Sequence, residues 1–335
     1  MKAWRVLLGG TVLVAAALAG ATAWWLNQPL ELAADTVEVS IEPGTAPREI
    51  AQAWVQSGVR ASPLLLYESF RWSGRARRIR AGSYEIGRGV TPTGLLNKMV
   101  QGDETLAVVR LIDGWTFRQF RAELAKAEAL KPTTAGVSDA DIMALLGAPG
   151  EPAEGRFHPD TYAYSKGSTD LAVLRRANRA MRQRLAVAWQ ERAPDSPLRS
   201  ADEALVLASI VEKETGTPAD RGRVAGVFVN RLRIGMPLQT DPSVIYGLGP
   251  AFDGNLRKRD LQADTPFNTY LRTGLPPTPI AMPGKAALLA EVHPEPTKAL
   301  YFVARGDGSS DFSDTLAGHI RAVNQYQRGA TRTGK

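Results

Sequence analysis

No cysteine occurs in this sequence, and only three histidines do: His158, His293 and His319. The first absence excludes disulfides and thiolate metal sites. The histidines are scattered and lack ligand spacings such as H-E-x-x-H, so neither a metal nor any other cofactor is expected. Charge and proline are missing between Val6 and Leu26. A helix over that run, at ~1.5 Å per residue, reaches across the ~30 Å core of a bilayer, which predicts a transmembrane helix over 6–26 after a cytoplasmic tail over 1–5. Lys2 and Arg5 precede the run and the first later charges are Glu31 and Asp35, so the positive-inside rule leaves the chain beyond about Asn27 outside the cytoplasm. A cleaved signal peptide is the competing reading, because Ala19-Gly20-Ala21 and Ala21-Thr22-Ala23 have the small-x-small form of a cleavage site. It ranks second, since the apolar run outlasts an ordinary signal core and continues through Trp24, Trp25 and Leu26, where an interfacial anchor belongs.

What is present is ordinary for a folded exported chain. With 335 residues there is room for two or three domains, and 41 Lys and Arg against 34 Asp and Glu leave a net charge of +7. The densest basic run is Arg71 to Arg80. An exported domain rarely meets nucleic acid, so an acidic lipid surface or acidic polymer suits this patch better; a solvated arginine loop is the simplest reading.

After a linker over 27–36, Val37-Glu38-Val39-Ser40-Ile41 alternates like a strand, and a helical run containing Ile50, Ala53, Trp54 and Val55 follows Gly44-Thr45. Ala81 to Ile86 reads as a second strand, giving a compact strand-helix-helix-strand module over 37–104. Gly114-Trp115-Thr116 with Gln119 has capping-box spacing before Phe117, Phe120 and Leu124. Beyond a Gly- and Pro-rich connector with a short helix over Asp139 to Leu146, long helices are predicted over Leu171 to Ala193, then after the Pro194 to Pro197 break through Leu205 and Glu214 to an end near Gly216, and over Arg221 to Leu232. A hairpin about Gly306-Asp307-Gly308 and a closing helix over Leu316 to Tyr326 complete an α+β domain over 105–330.

One residue breaks the pattern. Leu207, Ile210, Val211 and Glu214 follow the i, i+3, i+4, i+7 spacing of one helical face, which puts a carboxyl on an apolar stripe. Glu212 is rotated by roughly 200° and is expected at the solvated edge beside Lys213. Burial raises a carboxyl's pKa, as a general acid near neutral pH requires. A buried structural acid paired with Arg221, Arg223 or Arg231 fits the same spacing equally well. Downstream, Gln239, Thr240, Asp241 and Tyr246 lie in a proline-stiffened loop, and Asn268 and Tyr270 in another; together they suggest a polar cleft beside the acid. Taken singly, each of these residues reads as well as a turn former.

The strings Ala208 to Thr215 (ASIVEKET), Val227 to Leu232 (VFVNRL), Leu238 to Pro242 (LQTDP), Ile245-Tyr246-Gly247, Asn268-Thr269-Tyr270 and Gly274-Leu275-Pro276-Pro277 closely resemble the membrane-anchored endolytic murein transglycosylases, the YceG-like family. Ala81 to Tyr84, Pro159 to Tyr162 and Tyr301 to Val303 extend the likeness through the exported chain. The resemblance implies a lyase that cuts peptidoglycan glycan strands internally and leaves 1,6-anhydro-N-acetylmuramic acid ends. It implies a LysM-like module ahead of an α+β catalytic domain; with the apolar run read as an anchor, the chain is expected as single-pass in the inner membrane with its bulk in the periplasm, and peptidoglycan synthases are candidate protein partners. Glu214 maps to the family's catalytic acid; Gln239, Thr240, Asp241, Tyr246, Asn268 and Tyr270 are assigned to substrate. Two departures stand out: Ser310 replaces an expected histidine, and His158 occupies a position expected to be apolar or aromatic. The alternative is a non-catalytic, wall-binding adaptor in which Glu214 is structural.

Overall fold

The structure is a computed structural model that describes residues 13, 16, 17 and 19–328. The predicted span over 6–26 therefore lies in large part outside the described residues; among those described, no helix is long and apolar enough to cross a membrane. The chain forms two compact units. The first takes the chain up to Val108 with Glu128–Lys131 and Ala163–Ser168, and the second takes the remainder.

In the first unit, β1 (Glu31–Leu32), β2 (Thr36–Ile41), α1 (Pro47–Gln56), β3 (Val59–Arg60), α2 (Pro63–Trp72), β4 (Gly82–Gly87) and α3 (Pro92–Gln101) follow in order. β2 and β4 pair antiparallel with Val39 opposite Tyr84. Alternation in β2 turns Val37, Val39 and Ile41 inward, as a period of two requires. Each helix opens on proline, whose missing N–H costs nothing in a first turn. Ser62 and Thr91 cap α2 and α3 by accepting from the amides of Leu65 and Gly94. Trp54, Leu66, Phe70, Tyr84 and Met99 fill the core with no exposed surface. Trp54 Nε1 donates to Met99 Sδ at 3.3 Å, so even the indole N–H is satisfied inside.

The strands β5 (Leu106–Leu111) and β6 (Asp160–Ser165) form another pair. The second unit holds α4 (Phe117–Lys126), α5 (Asp139–Leu145), α6 (Asp170–Gln190), α7 (Ala201–Glu214), α8 (Arg221–Arg233), α9 (Asp241–Leu248), α10 (Lys285–Val292), the antiparallel hairpin β7 (Tyr301–Ala304) and β8 (Ser310–Ser313), and α11 (Leu316–Val323). The capping box expected at Thr116 and Gln119 is present, with the Gln119 carboxamide accepting from the Thr116 amide at 2.8 Å.

At the centre of this unit is α7, which packs against α6, α8, α9 and α10. Every residue from Ala204 to Val211 is buried. A helix buried all round is a core helix, with no solvated edge along most of its length. Ser209 joins it to the following proline-rich loop by accepting from the Ile280 amide at 3.0 Å. On α8, a Cβ at Gly226 would come within 2.7 Å of the Glu295 carbonyl, so only glycine permits this close approach.

Candidate active site

Glu214 is the last residue of α7, where the buried helix reaches an open cavity of about 620 Å³. Gln239, Asp241, Tyr270, Arg231, Tyr301 and His319 line this cavity with it. The Glu214 Oε1 accepts from the Thr240 hydroxyl at 2.5 Å. Burial pushes the carboxyl's pKa up, and the nearby Asp241 adds to the rise; the Thr240 hydrogen bond and the more distant Arg231 charge oppose it. The position itself also disfavours negative charge, because the carbonyl end of a helix carries partial negative charge. Among the described residues no cation forms an ion pair with Glu214. Of the three arginines that could have paired with it, Arg221 lies 3.8 Å from Glu212 and Arg223 lies 4.0 Å from Glu295. Arg231 instead spends its donors on carbonyls, Nε on Leu300 at 2.7 Å and Nη1 on Leu238 at 2.6 Å.

The loop that presents Thr240 is held from beneath by buried hydroxyls. Thr240 N donates to Thr269 Oγ1 at 3.0 Å, Ser243 Oγ donates to the Thr240 carbonyl at 2.9 Å, and Ser243 and Thr269 share a further contact of 2.9 Å. Gln239 donates its amide to the Thr269 carbonyl and adopts φ +50°, a left-handed conformation uncommon outside glycine. Strain of this kind persists where surroundings over-determine the backbone, and here it adjoins the acid. Asp241 opens α9, and its Oδ1 accepts from the Tyr270 phenol at 2.6 Å. Burial and this neighbouring carboxylate raise the Tyr270 pKa, so the phenol remains a donor.

Of the seven residues assigned from the sequence, Glu214, Gln239, Asp241 and Tyr270 share the cavity, and Thr240 touches Glu214 from behind. Asn268 and Tyr246 stand apart. Asn268 is fully buried and braces its own loop: Nδ2 donates to the carbonyls of Leu261 and Ala263 at 3.0 and 2.7 Å, and Oδ1 accepts from the Tyr270 amide. It thereby aims Tyr270 rather than facing the cavity. Tyr246 sits at the other end of α9, edge-on to Phe267, and lines a second cavity of about 800 Å³ with Glu154, Phe117 and Thr278. Glu154 is itself buried, accepting from the Phe117 amide at 2.9 Å and from the Tyr246 phenol, and desolvation lifts its pKa to about 7.

Glu212 is a correction. It is not at a solvated edge: its side chain is 9% exposed, and its Oε2 accepts from the Gly284 amide at 3.0 Å. Burial raises its pKa too, but its partners are a backbone amide and Arg221, not an open cavity. The arrangement therefore separates two acids one residue apart in the motif, one built into the structure and one facing free space.

Arg231, Tyr301 and His319 were not assigned to the site from sequence. Arg231 had a legible signal, since Val224, Phe228 and Arg231 repeat the stripe spacing that singles out Glu214, and the structure buries it. The Arg231 guanidinium lies 5.4 Å from the Tyr301 ring, and the His319 ring stacks on that ring at 5.3 Å. His319 Nδ1 is buried with no hydrogen-bond partner among the described residues, and burial with the Arg231 charge lowers its pKa, which keeps the imidazole neutral. Ser310, in place of the expected histidine, also lines this cavity.

Comparison with known proteins agrees with this geometry. The profile of the YceG-like family matches residues 39–325. An endolytic murein transglycosylase of Bacillus subtilis is 30% identical over 308 residues, covering 87% of this chain and 85% of that protein. One from Streptococcus pneumoniae is 25% identical over 325 residues, of which this chain spans 58% of the length. A crystal structure of a YceG-like protein from Listeria monocytogenes superposes with a TM-score of 0.54 at 26% identity, over 86% of this chain and 98% of that one. With the family profile running through both units and the motif acid standing at the head of a cavity, this chain belongs to the YceG-like family.

Proposed function

We propose that this protein is an endolytic murein transglycosylase, a lyase that cleaves the glycosidic bond between N-acetylmuramic acid and N-acetylglucosamine within glycan strands. The observation that carries the reading is Glu214, a half-buried carboxyl with raised pKa that faces a cavity and, among the described residues, has no cation to hold it as a carboxylate. Protonated Glu214 donates its proton to the glycosidic oxygen as the bond to the anomeric carbon breaks. The resulting carboxylate then takes the proton of the same sugar's C6 hydroxyl as that oxygen closes on the anomeric carbon. Proton and bonds balance, Glu214 returns to its acid form, and no water is consumed. Ordinary glycosidases need a second carboxylate to activate water or attack directly; here the nucleophile belongs to the substrate. Gln239, Asp241 and Tyr270 are placed to orient the sugar, and Asp241 carries negative charge toward an oxocarbenium-like centre.

In this reading the apolar segment 6–26 anchors the protein in the inner membrane, the first unit is a LysM-like module that guides a nascent strand, and peptidoglycan synthases work alongside. Glu214→Gln keeps the shape and removes the proton. Acid–base roles of this kind are worth ~10²–10⁴ in rate, so the variant is expected to lose anhydro-ended fragments by at least the lower figure in mass spectra of digested murein. Wild-type protein that binds murein yet yields no anhydro-ended fragments would make this an adaptor instead. Products with reducing ends would make it a hydrolase.

A further inference from the structure

The first unit carries a surface that its core does not explain. On α2, Leu66 and Phe70 are fully buried, while Leu64, Leu65 and Trp72 are 61%, 55% and 83% exposed. Positions 64, 65, 68, 71 and 72 share one helical stripe. The stripe's single acid, Glu68, is occupied by its neighbours, with Arg71 at 3.2 Å and the Trp72 indole N–H at 2.9 Å. From Ser69 to Tyr84 the chain has five arginines and no acid. Arg77 and Arg78 are exposed, and among the described residues neither pairs with a carboxylate.

The same stripe borders an apolar groove of about 560 Å³, whose walls include Leu65, Trp72, Leu96, Trp25 and Leu26. Residues 19–26 are helical and end against this unit: the Leu26 carbonyl accepts from the Thr93 hydroxyl at 3.0 Å, and Trp25 packs on the core. The apolar amino-terminal run therefore enters the unit beside the exposed leucines, tryptophan and arginines. Tryptophan and leucine beside arginine match a bilayer's interfacial zone, and the arginine excess matches acidic headgroups.

We propose that the outward stripe of α2 and the arginine turn after it rest on the membrane surface, with Leu64, Leu65 and Trp72 in the interfacial layer and Arg71, Arg77 and Arg78 on acidic lipid headgroups. The inference rests on the reading of residues 6–26 as a retained anchor. It gives the anchor a second foot, which fixes how the first unit stands over the bilayer instead of leaving it to swing on a linker.

Because the chain has no cysteine, single substitutions to cysteine accept a nitroxide label at one place only. The full chain is labelled in turn at Leu13, Leu64, Leu65 and the exposed Glu42, and reconstituted in nanodiscs of phosphatidylglycerol and phosphatidylethanolamine. Power saturation then compares accessibility to oxygen and to a nickel chelate. The expected result is a severalfold fall in nickel accessibility at Leu64 and Leu65 relative to Glu42, reversed in phosphatidylcholine discs or when Arg71, Arg77 and Arg78 are replaced by glutamine. A Leu13 label inside the bilayer with Leu64 and Leu65 as wet as Glu42 overturns the proposal and leaves the anchor standing. A wet Leu13 label overturns the anchor and the proposal with it. Protection of Leu64 and Leu65 by soluble murein glycan but not by lipid assigns the face to the glycan and also overturns the proposal.

Discussion

Replacing Glu291 with methionine is expected to stabilise the second unit by an amount that grows with pH. Glu291 lies on α10, the helix that packs against α7, and it is 1% exposed. Among the described residues neither carboxyl oxygen has a hydrogen-bond partner, and desolvation alone lifts the pKa from 4.5 to about 9. In the folded state the group therefore holds its proton across a window in which the unfolded chain releases it. An acid whose folded pKa is raised contributes its full stability only below the unfolded pKa and loses it as pH rises toward the folded one. Each pH unit inside the window costs up to ~1.4 kcal/mol, which places the penalty at about 3 kcal/mol by pH 7. Methionine has similar length and no polar atoms, so it removes both this penalty and the ~1–3 kcal/mol for burying an unsatisfied neutral carboxyl. Urea midpoints at pH 5, 6.5 and 8, followed by tryptophan fluorescence, check this. The gap between variant and wild type must widen with each step at unchanged denaturant slope. A gap that stays flat across the three pH values would refute the claim that Glu291 is protonated in the fold.

Two further predictions concern the site. Thr240→Val removes a hydrogen bond that favours the charged form of Glu214, so the carboxyl's pKa rises further. Since the first step needs the acid form, activity is lost as pH climbs through that pKa, and the alkaline limb of the kcat/KM profile is expected to move to higher pH; a limb that stays put separates Thr240 from the acid. Asn268→Ala leaves the Leu261 and Ala263 carbonyls and the Tyr270 amide without their partner. At ~1–3 kcal/mol for each of the three groups left unsatisfied, the loss is about 3 kcal/mol or more in urea unfolding, with KM rising more than kcat falls. An equal drop in kcat with KM unchanged would instead put Asn268 in contact with the reacting sugar.

Much of this was legible in the chain, and the failures have one cause. Turn and cap chemistry located the helices closely: Thr116 with Gln119 opens α4 as expected, and α8 runs over Arg221–Arg233 against an expected Arg221 to Leu232. Stripe spacing found Glu214, but the same rule sent Glu212 to a solvated edge, where it instead meets the Gly284 amide and Arg221. Spacing tells where a side chain points and not what lies there. Tyr246 and Asn268 sit in polar loops beside the acid in sequence, yet one faces a different cavity and the other turns back into its own loop. His319, Tyr301 and Arg231 line the Glu214 cavity from separate segments, and no local pattern joins them.

Four wholly or partly buried acids then show what distinguishes a working group from a structural one. Glu212 meets a backbone amide and an arginine. Glu154 meets an amide and a phenol at the second cavity. Glu291 has no hydrogen-bond partner among the described residues. All three, like Glu214, have raised pKa values, so the shift alone does not select among them. An acid that must give a proton and take one back needs a partner that tolerates both states and open space for the molecule that exchanges the proton. A threonine hydroxyl meets the first condition, because it donates to the carboxylate and can rotate to accept from the acid. The cavity shared with Gln239, Asp241 and Tyr270 meets the second. An arginine at the position of Thr240 would lock Glu214 as a carboxylate, and a closed core like that around Glu291 would lock it as an acid. Reversible protonation is what this neighbourhood permits and those of Glu212 and Glu291 do not; Glu154, with a phenol and a cavity of its own, meets both conditions, and it is the family motif that singles out Glu214.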